Sequence, residues 1–171
     1  MRNVFQVGSF PSPIGPIWFA TSPLGLVRIL MPPAANSKEM ERILCRQFGA
    51  IDIEEGGPLP SRLLRELKGY FSGTLKKFET PCRLSGTPFQ MEVWDLVSQI
   101  PYGQTRNYGE IAAALGKPMA GRAVGRANGR NPLPLVVPCH RVVGFNGRLC
   151  GYSSGVDLKR WLLEWEQNRT S

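Results

Sequence analysis

Apolar positions in the first 80 residues repeat first with the period of a strand and then with that of a helix. Val4–Gly8 and Pro16–Ala20 read as short strands around a proline-containing turn, and Gly25–Met31 (GLVRILM) reads as a third. From Ser37 the period changes. Met40, Ile43, Leu44 and Phe48 fall on one face of a helix over Lys38–Phe48, with Ser37 as its cap. Gly56-Gly57-Pro58 and Pro60 break the chain. Leu63, Leu64, Leu67 and Phe71 then mark a second amphipathic helix over Ser61–Tyr70. These stripes form a core, and no constellation of reactive side chains accompanies them.

The second half is organised differently. Pro81 to Pro88 reads as a linker, which predicts domains over 1–82 and 86–171. A helix over Phe89–Val97 is followed by a short Ala-rich helix over Tyr108–Gly116. After the turn Lys117-Pro118-Met119 comes a further helix over Ala120–Gly129, the pattern of a helix-turn-helix. Gly121, Gly125 and Gly129 recur every four residues in that helix. Each costs about 1 kcal/mol relative to Ala, so the pattern calls for close approach of another backbone, protein or nucleic acid. Arg122, Arg126 and Arg130 repeat at the same spacing. A smooth face beside a stripe of guanidinium groups suits a phosphate backbone. Tight helix packing with solvated arginines is the other reading.

Composition narrows the class. With 171 residues, 42% hydrophobic and 20% charged, the chain has the make-up of an ordinary globular protein rather than a disordered or fibrous one. There is no run of 18 apolar residues, and Met1–Phe5 lacks the apolar stretch of an export signal, so a cytoplasmic protein without a membrane span is expected. The net charge of +8 divides equally between the halves, but its local distribution is uneven. No acidic residue occurs between Glu110 and Asp157, an interval holding Lys117, Arg122, Arg126, Arg130, Arg141 and Arg148. Such a gap fits a polyanionic partner or a solvated basic face. Cys45, Cys82, Cys139 and Cys150 have no C-x-x-C pair among them, and His140 is the sole histidine. Reduced thiols are therefore expected and a structural zinc site has little support, a site built from all four thiols being the other reading.

The most unusual segment runs from Asn131 to Gly144 (NPLPLVVPCHRVVG). Its prolines stiffen the entry, and it sets a thiol beside the sole histidine among arginines. That setting predicts a lowered thiol pKa; a buried, inert cysteine is the alternative.

Pro138-Cys139-His140-Arg141-Val142 resembles the active-site motif of the O6-alkylguanine-DNA alkyltransferases. The resemblance extends to Ile100–Thr105, Tyr108–Ala112, Arg122–Gly125, Asn131-Pro132, Gly151–Ser153 and Lys159–Glu166, so it covers roughly residues 86–167. It implies a ribonuclease-H-like α/β N-terminal domain and a mainly α C-terminal domain of winged-helix or helix-turn-helix type. It also implies repair of O6-alkylguanine, and of O4-alkylthymine, in double-stranded DNA bound through the minor groove. The flipped base would lose its alkyl group to Cys139 in a single irreversible event, by a monomer that uses no cofactor and no metal. By the same resemblance His140 would deprotonate the thiol through a water, Glu166 would orient the histidine, and Tyr108 would donate to the departing base. Arg122 would fill the gap in the duplex, with Arg126 on phosphate and Gly125 on the smooth face. Tyr152 and Ser153 would line the base pocket, and carbonyls near Cys139 and Val142 would read the exocyclic amine. Asn131 would tie the helix-turn-helix to the active-site strand, and Lys159 would contact the DNA. A helical wheel places Leu158, Trp161, Leu162 and Trp165 on the apolar face of the last helix, with Glu166 at its edge. Asn107 stands where the family often has Ser. A non-catalytic helix-turn-helix binder and a Cys-His-Glu hydrolase are the rival functions.

Overall fold

A computed structural model describes residues 3–56 and 60–170. Met1, Arg2 and the Gly57-Pro58 portion of the predicted break lie outside the described residues. The chain divides into two compact units between Leu84 and Ser85, within the predicted linker.

In the N-terminal unit, β1 (Asn3–Ser12), β2 (Gly15–Ser22) and β3 (Gly25–Leu30) form an antiparallel meander. After helix α1 (Ser37–Phe48), strand β4 (Ile51–Glu55) returns parallel to β1, giving the order β3-β2-β1-β4; helix α2 (Ser61–Ser72) follows. Strand β4 is missing from the sequence reading. It spans only five residues (IDIEE), pairs with β1 alone, and buries its two isoleucines only partly. The cap of α1 is Asn36 rather than Ser37: the Asn36 side chain accepts from the backbone of Glu39 at 2.9 Å. Phe5, Val7, Ala20, Val27, Met40 and Leu44 make the buried contact between the sheet and α1. The core stripe of α2 is Leu63, Leu67 and Tyr70.

The C-terminal unit holds the chemistry. Helix α3 (Pro88–Ser98) starts at a reciprocal cap between Thr87 and Gln90, with Pro88 in its first turn. Short strand β5 (Arg106–Asn107) leads into α4 (Tyr108–Ala114), and after a turn comes α5 (Gly121–Gly129). A 3-10 turn at Cys139–Arg141 precedes β6 (Val142–Val143), and helix α6 (Val156–Gln167) closes the unit. Strands β5 and β6 pair in parallel, Arg106 with Val142 and Asn107 with Val143. Trp94 of α3 is buried and donates its indole N–H to the Ala127 carbonyl at 2.9 Å, which fixes α5 against α3.

Candidate active site

Cys139 opens the 3-10 turn rather than lying on a strand, a departure from the sequence reading. The segment before it is knotted by one side chain. Asn131 accepts from the Leu133 backbone at 2.9 Å and donates to the Val137 carbonyl at 2.7 Å, so the end of α5 is tied to the residues that carry the thiol. Leu135, inside this knot, has φ 74 although it carries a side chain. A conformation this uncommon persists only where its surroundings impose it.

His140 and Glu166 are both fully buried, and His140 Nε2 lies 2.7 Å from Glu166 Oε1. Glu166 also accepts from Arg141 Nε and Nη2, at 2.9 and 3.0 Å, and from the Gly103 backbone at 3.1 Å. Arg141 completes the cluster by donating to the Ile100 carbonyl at 2.7 Å. Burial alone would raise the Glu166 pKa, but the bonds from His140 and Arg141 hold its carboxyl far below the usual range. Burial lowers the pKa of His140 against the opposing pull of Glu166, so at neutral pH its imidazole is uncharged. With Nε2 committed to Glu166, Nδ1 is buried without a hydrogen-bond partner among the described residues. That nitrogen is the ring's remaining site for a proton.

The thiol departs from expectation. Burial pushes the Cys139 pKa up, and the neighbouring Asn131, Tyr152 and Lys159 offset this only in part. The arginines that suggested a lowered value are directed elsewhere: Arg141 is turned toward Glu166, and Arg122, Arg126 and Arg130 are exposed. A thiol in this state reacts only if a base takes its proton.

Tyr108 is set at the first residue of α4 by a second reciprocal cap. Asn107 accepts from the Glu110 backbone at 2.9 Å, and the Glu110 carboxylate accepts from the Asn107 backbone at 2.6 Å. Asparagine thus performs the cap expected of serine. The Tyr108 ring lies against Gly125, where an added Cβ would stand 3.6 Å from it. Tyr152 is half-buried, with its hydroxyl beside the thiol. Ser153 is exposed.

Two expectations are corrected. Lys159 is fully buried, and its ammonium donates to the carbonyls of Val142 at 2.5 Å and Cys150 at 3.2 Å, so it presents nothing to DNA. The carbonyls of Val142 and Cys139, expected to read a base, each accept one hydrogen bond within the chain, Val142 from this ammonium and Cys139 from the Asn128 side chain at 3.1 Å, and each keeps a second lone pair. The apolar face of α6 is also rotated from the predicted one. Lys159, Leu162, Leu163 and Glu166 are buried, whereas Leu158, Trp161 and Trp165 are only partly so. Glu166 thus lies inside the buried face, and hydropathy misplaces its centre because two of its four members are charged.

The basic interval sorts into two groups. Arg141 is spent on Glu166, and Lys117 pairs with Glu92 at 3.2 Å. Arg122, Arg126, Arg130 and Arg148 have no acidic partner among the described residues. A Cβ added at Gly121 or Gly129 meets nothing within 4 Å, so packing within the chain does not explain either glycine. Among the described residues no three His, Cys, Asp or Glu side chains gather to hold a metal ion, and no helix is long and apolar enough to cross a membrane.

Residues 88–168 match the family described as 6-O-methylguanine DNA methyltransferase, DNA binding domain. Over 157 residues the sequence is 45% identical to a methylated-DNA–protein-cysteine methyltransferase of Methanosarcina acetivorans, covering 92% of this chain and 95% of that one. The fold is similar to the crystal structure of the Mycobacterium tuberculosis O6-methylguanine methyltransferase, with TM-score 0.83 and 39% identity over 98% of this chain and 95% of that one. It is similar also to the crystal structure of Mycobacterium tuberculosis OGT in complex with DNA, with TM-score 0.82 and 40% identity over 96% and 94% of the two chains.

Proposed function

The chain belongs to the methylated-DNA–protein-cysteine methyltransferase family, and we propose that it repairs O6-alkylguanine in DNA by moving the alkyl group irreversibly to Cys139. One observation carries this assignment: a buried thiol next in sequence to a neutral histidine, whose other nitrogen is fixed by a carboxylate. The thiol proton passes through a water to His140 Nδ1. The sulfur then attacks the alkyl carbon, the bond from that carbon to O6 breaks, and its electron pair stays with the guanine. The departing base regains one proton, so the balance is thiol plus alkylated base giving thioether plus guanine. Tyr108 donates a hydrogen bond to the ring nitrogen that gains charge. Glu166 holds the histidine, in the logic of a nucleophile–base–carboxylate triad.

The target atom is inaccessible in a stacked duplex, so the nucleotide is flipped. Arg122 takes its place, Arg126 and Arg130 bind phosphates, and Gly121, Gly125 and Gly129 let the minor groove approach α5. Tyr152 and Ser153 line the base pocket, which also admits O4-alkylthymine. The N-terminal unit corresponds to a ribonuclease-H-like scaffold over 1–82, and the C-terminal unit to a winged helix-turn-helix over 86–171. The protein works as a cytoplasmic monomer.

Stoichiometry and a split between substrates test the proposal. Transfer from excess methylated duplex should stop at one methyl per chain; continuing turnover would mean a hydrolase, and unchanged DNA a binder. Arg122→Ala should lose most duplex activity, because insertion offsets an unstacking cost of a few kcal/mol, yet react normally with free O6-methylguanine. Arg126→Ala and Arg130→Ala should instead weaken binding to every duplex and lower the salt slope by about one unit each. If Arg122→Ala lost both reactions equally while folding normally, the inserted role would be wrong.

A further inference from the structure

Asn128 lies in the last turn of α5 and is 4% exposed, sharing the helix's buried face with Val124 and Ala127. An amide there is costly. Its Oδ1 is buried with no hydrogen-bond partner among the described residues, and such a group costs about 1–3 kcal/mol relative to an apolar side chain of the same size. Packing alone would be served better by leucine. What the amide supplies is donors. One Nδ2 hydrogen goes to the Cys139 carbonyl at 3.1 Å. The amide also lies near the Tyr108 phenol, where it opposes the burial that raises the phenol pKa.

We infer that Asn128 is a positioning residue of the transfer reaction, holding the Cys139 turn through its carbonyl and Tyr108 through its hydroxyl oxygen. This rests on the alkyl transfer proposed above. A hydroxyl whose oxygen accepts a hydrogen bond is itself a stronger donor, and Tyr108 must donate as charge develops on the leaving base. Nucleophile and donor belong to separate segments, the 3-10 turn and α4, and Asn128 is bonded to the first and lies near the second. It projects from the helix that carries Arg122, Arg126 and Arg130, three residues beyond the glycine that backs the Tyr108 ring. DNA seated on α5 therefore bears on a helix that is bonded to the Cys139 turn and backs the Tyr108 ring.

A double-mutant cycle on single-turnover transfer from free O6-methylguanine tests the inference, since the free base needs neither flipping nor phosphate contacts. Asn128→Leu should slow transfer about tenfold, the equivalent of one lost hydrogen bond in the transition state. In a Tyr108→Phe background the same substitution should slow it at least threefold less, because the phenol through which it acts is gone. Affinity for an unmodified duplex, measured by gel shift, should stay within about twofold in all variants, as the phosphate contacts lie on the opposite face of α5. Equal slowing in both backgrounds overturns the inference, as does a loss of duplex affinity that matches the loss of rate. If the leucine variant does not fold, Asn128→Ala, which removes the same donors with a smaller side chain, takes its place in the cycle with the same criteria. Failure of the wild-type protein to transfer at all would overturn the alkyl-transfer assignment instead.

Discussion

Cys139→Ser should abolish alkyl transfer and leave duplex binding within about twofold of the wild-type value. The two outcomes separate because the residues that would carry them are separate. Cys139 is 4% exposed and fixed by the Asn131 knot, whereas Arg122, Arg126 and Arg130 are exposed on α5. Serine keeps the shape of the site, so the fold should be retained. It does not keep the nucleophile: a hydroxyl is far less acidic than a thiol, and the neutral His140 that can deprotonate a sulfur would leave the oxygen protonated. Repair by this variant near the wild-type rate would contradict the assignment. So would transfer to Cys150, whose carbonyl is held by Lys159 near the site.

Glu166→Gln should slow transfer by on the order of 100-fold at neutral pH, with a defect that shrinks as pH rises. In the proposed mechanism wild-type transfer depends on neutral His140, whose lowered pKa makes it available as a base through the neutral range. The wild-type rate should therefore be nearly flat above that pKa. With a neutral amide opposite Nε2 the imidazole is a weaker base, and the variant must rely on thiolate formed unaided. That population grows with pH toward the raised thiol pKa, so the variant gains on the wild type. A defect constant across pH would mean that Glu166 is structural only. Stability follows a second line. The folded-state pKa of Glu166 is depressed, so its contribution is fully present above the ordinary carboxylate pKa and is lost as pH falls below it. Removing the charge leaves Arg141 buried without its counter-ion, which in comparable pairs costs about 3–5 kcal/mol. Denaturant midpoints should show this loss at neutral pH and its disappearance in acid.

The parts of the fold legible in the sequence were those written in hydropathy and punctuation. The meander, α1, α2 and the α4–turn–α5 pair follow from periodicity, prolines and glycines, and the Cys139-His140 pair stands out as a thiol beside the sole histidine. What stayed hidden were polar residues inside the protein. Lys159, Glu166, Arg141 and Asn128 belong at the surface by composition, and only long-range partners keep them buried: two carbonyls for the lysine, one carboxylate shared by His140 and Arg141, and the Cys139 carbonyl for the amide. The thiol pKa differs from the sequence expectation for a related reason. Counting arginines near Cys139 along the chain says nothing about where they point, and the nearest of them serves Glu166. Strand β4 escaped because an edge strand with partly buried isoleucines has too weak a pattern to separate from a loop.

The most direct test is peptide mass mapping after the protein has reacted with a duplex containing one O6-methylguanine. Alkyl transfer to the thiol predicts that each reacted chain gains the mass of one CH2 unit, located on the peptide at Cys139, while the duplex yields unmodified guanine in equal amount. A protein of unchanged mass with repaired DNA, or a methyl group mapped to any side chain other than Cys139, would contradict it.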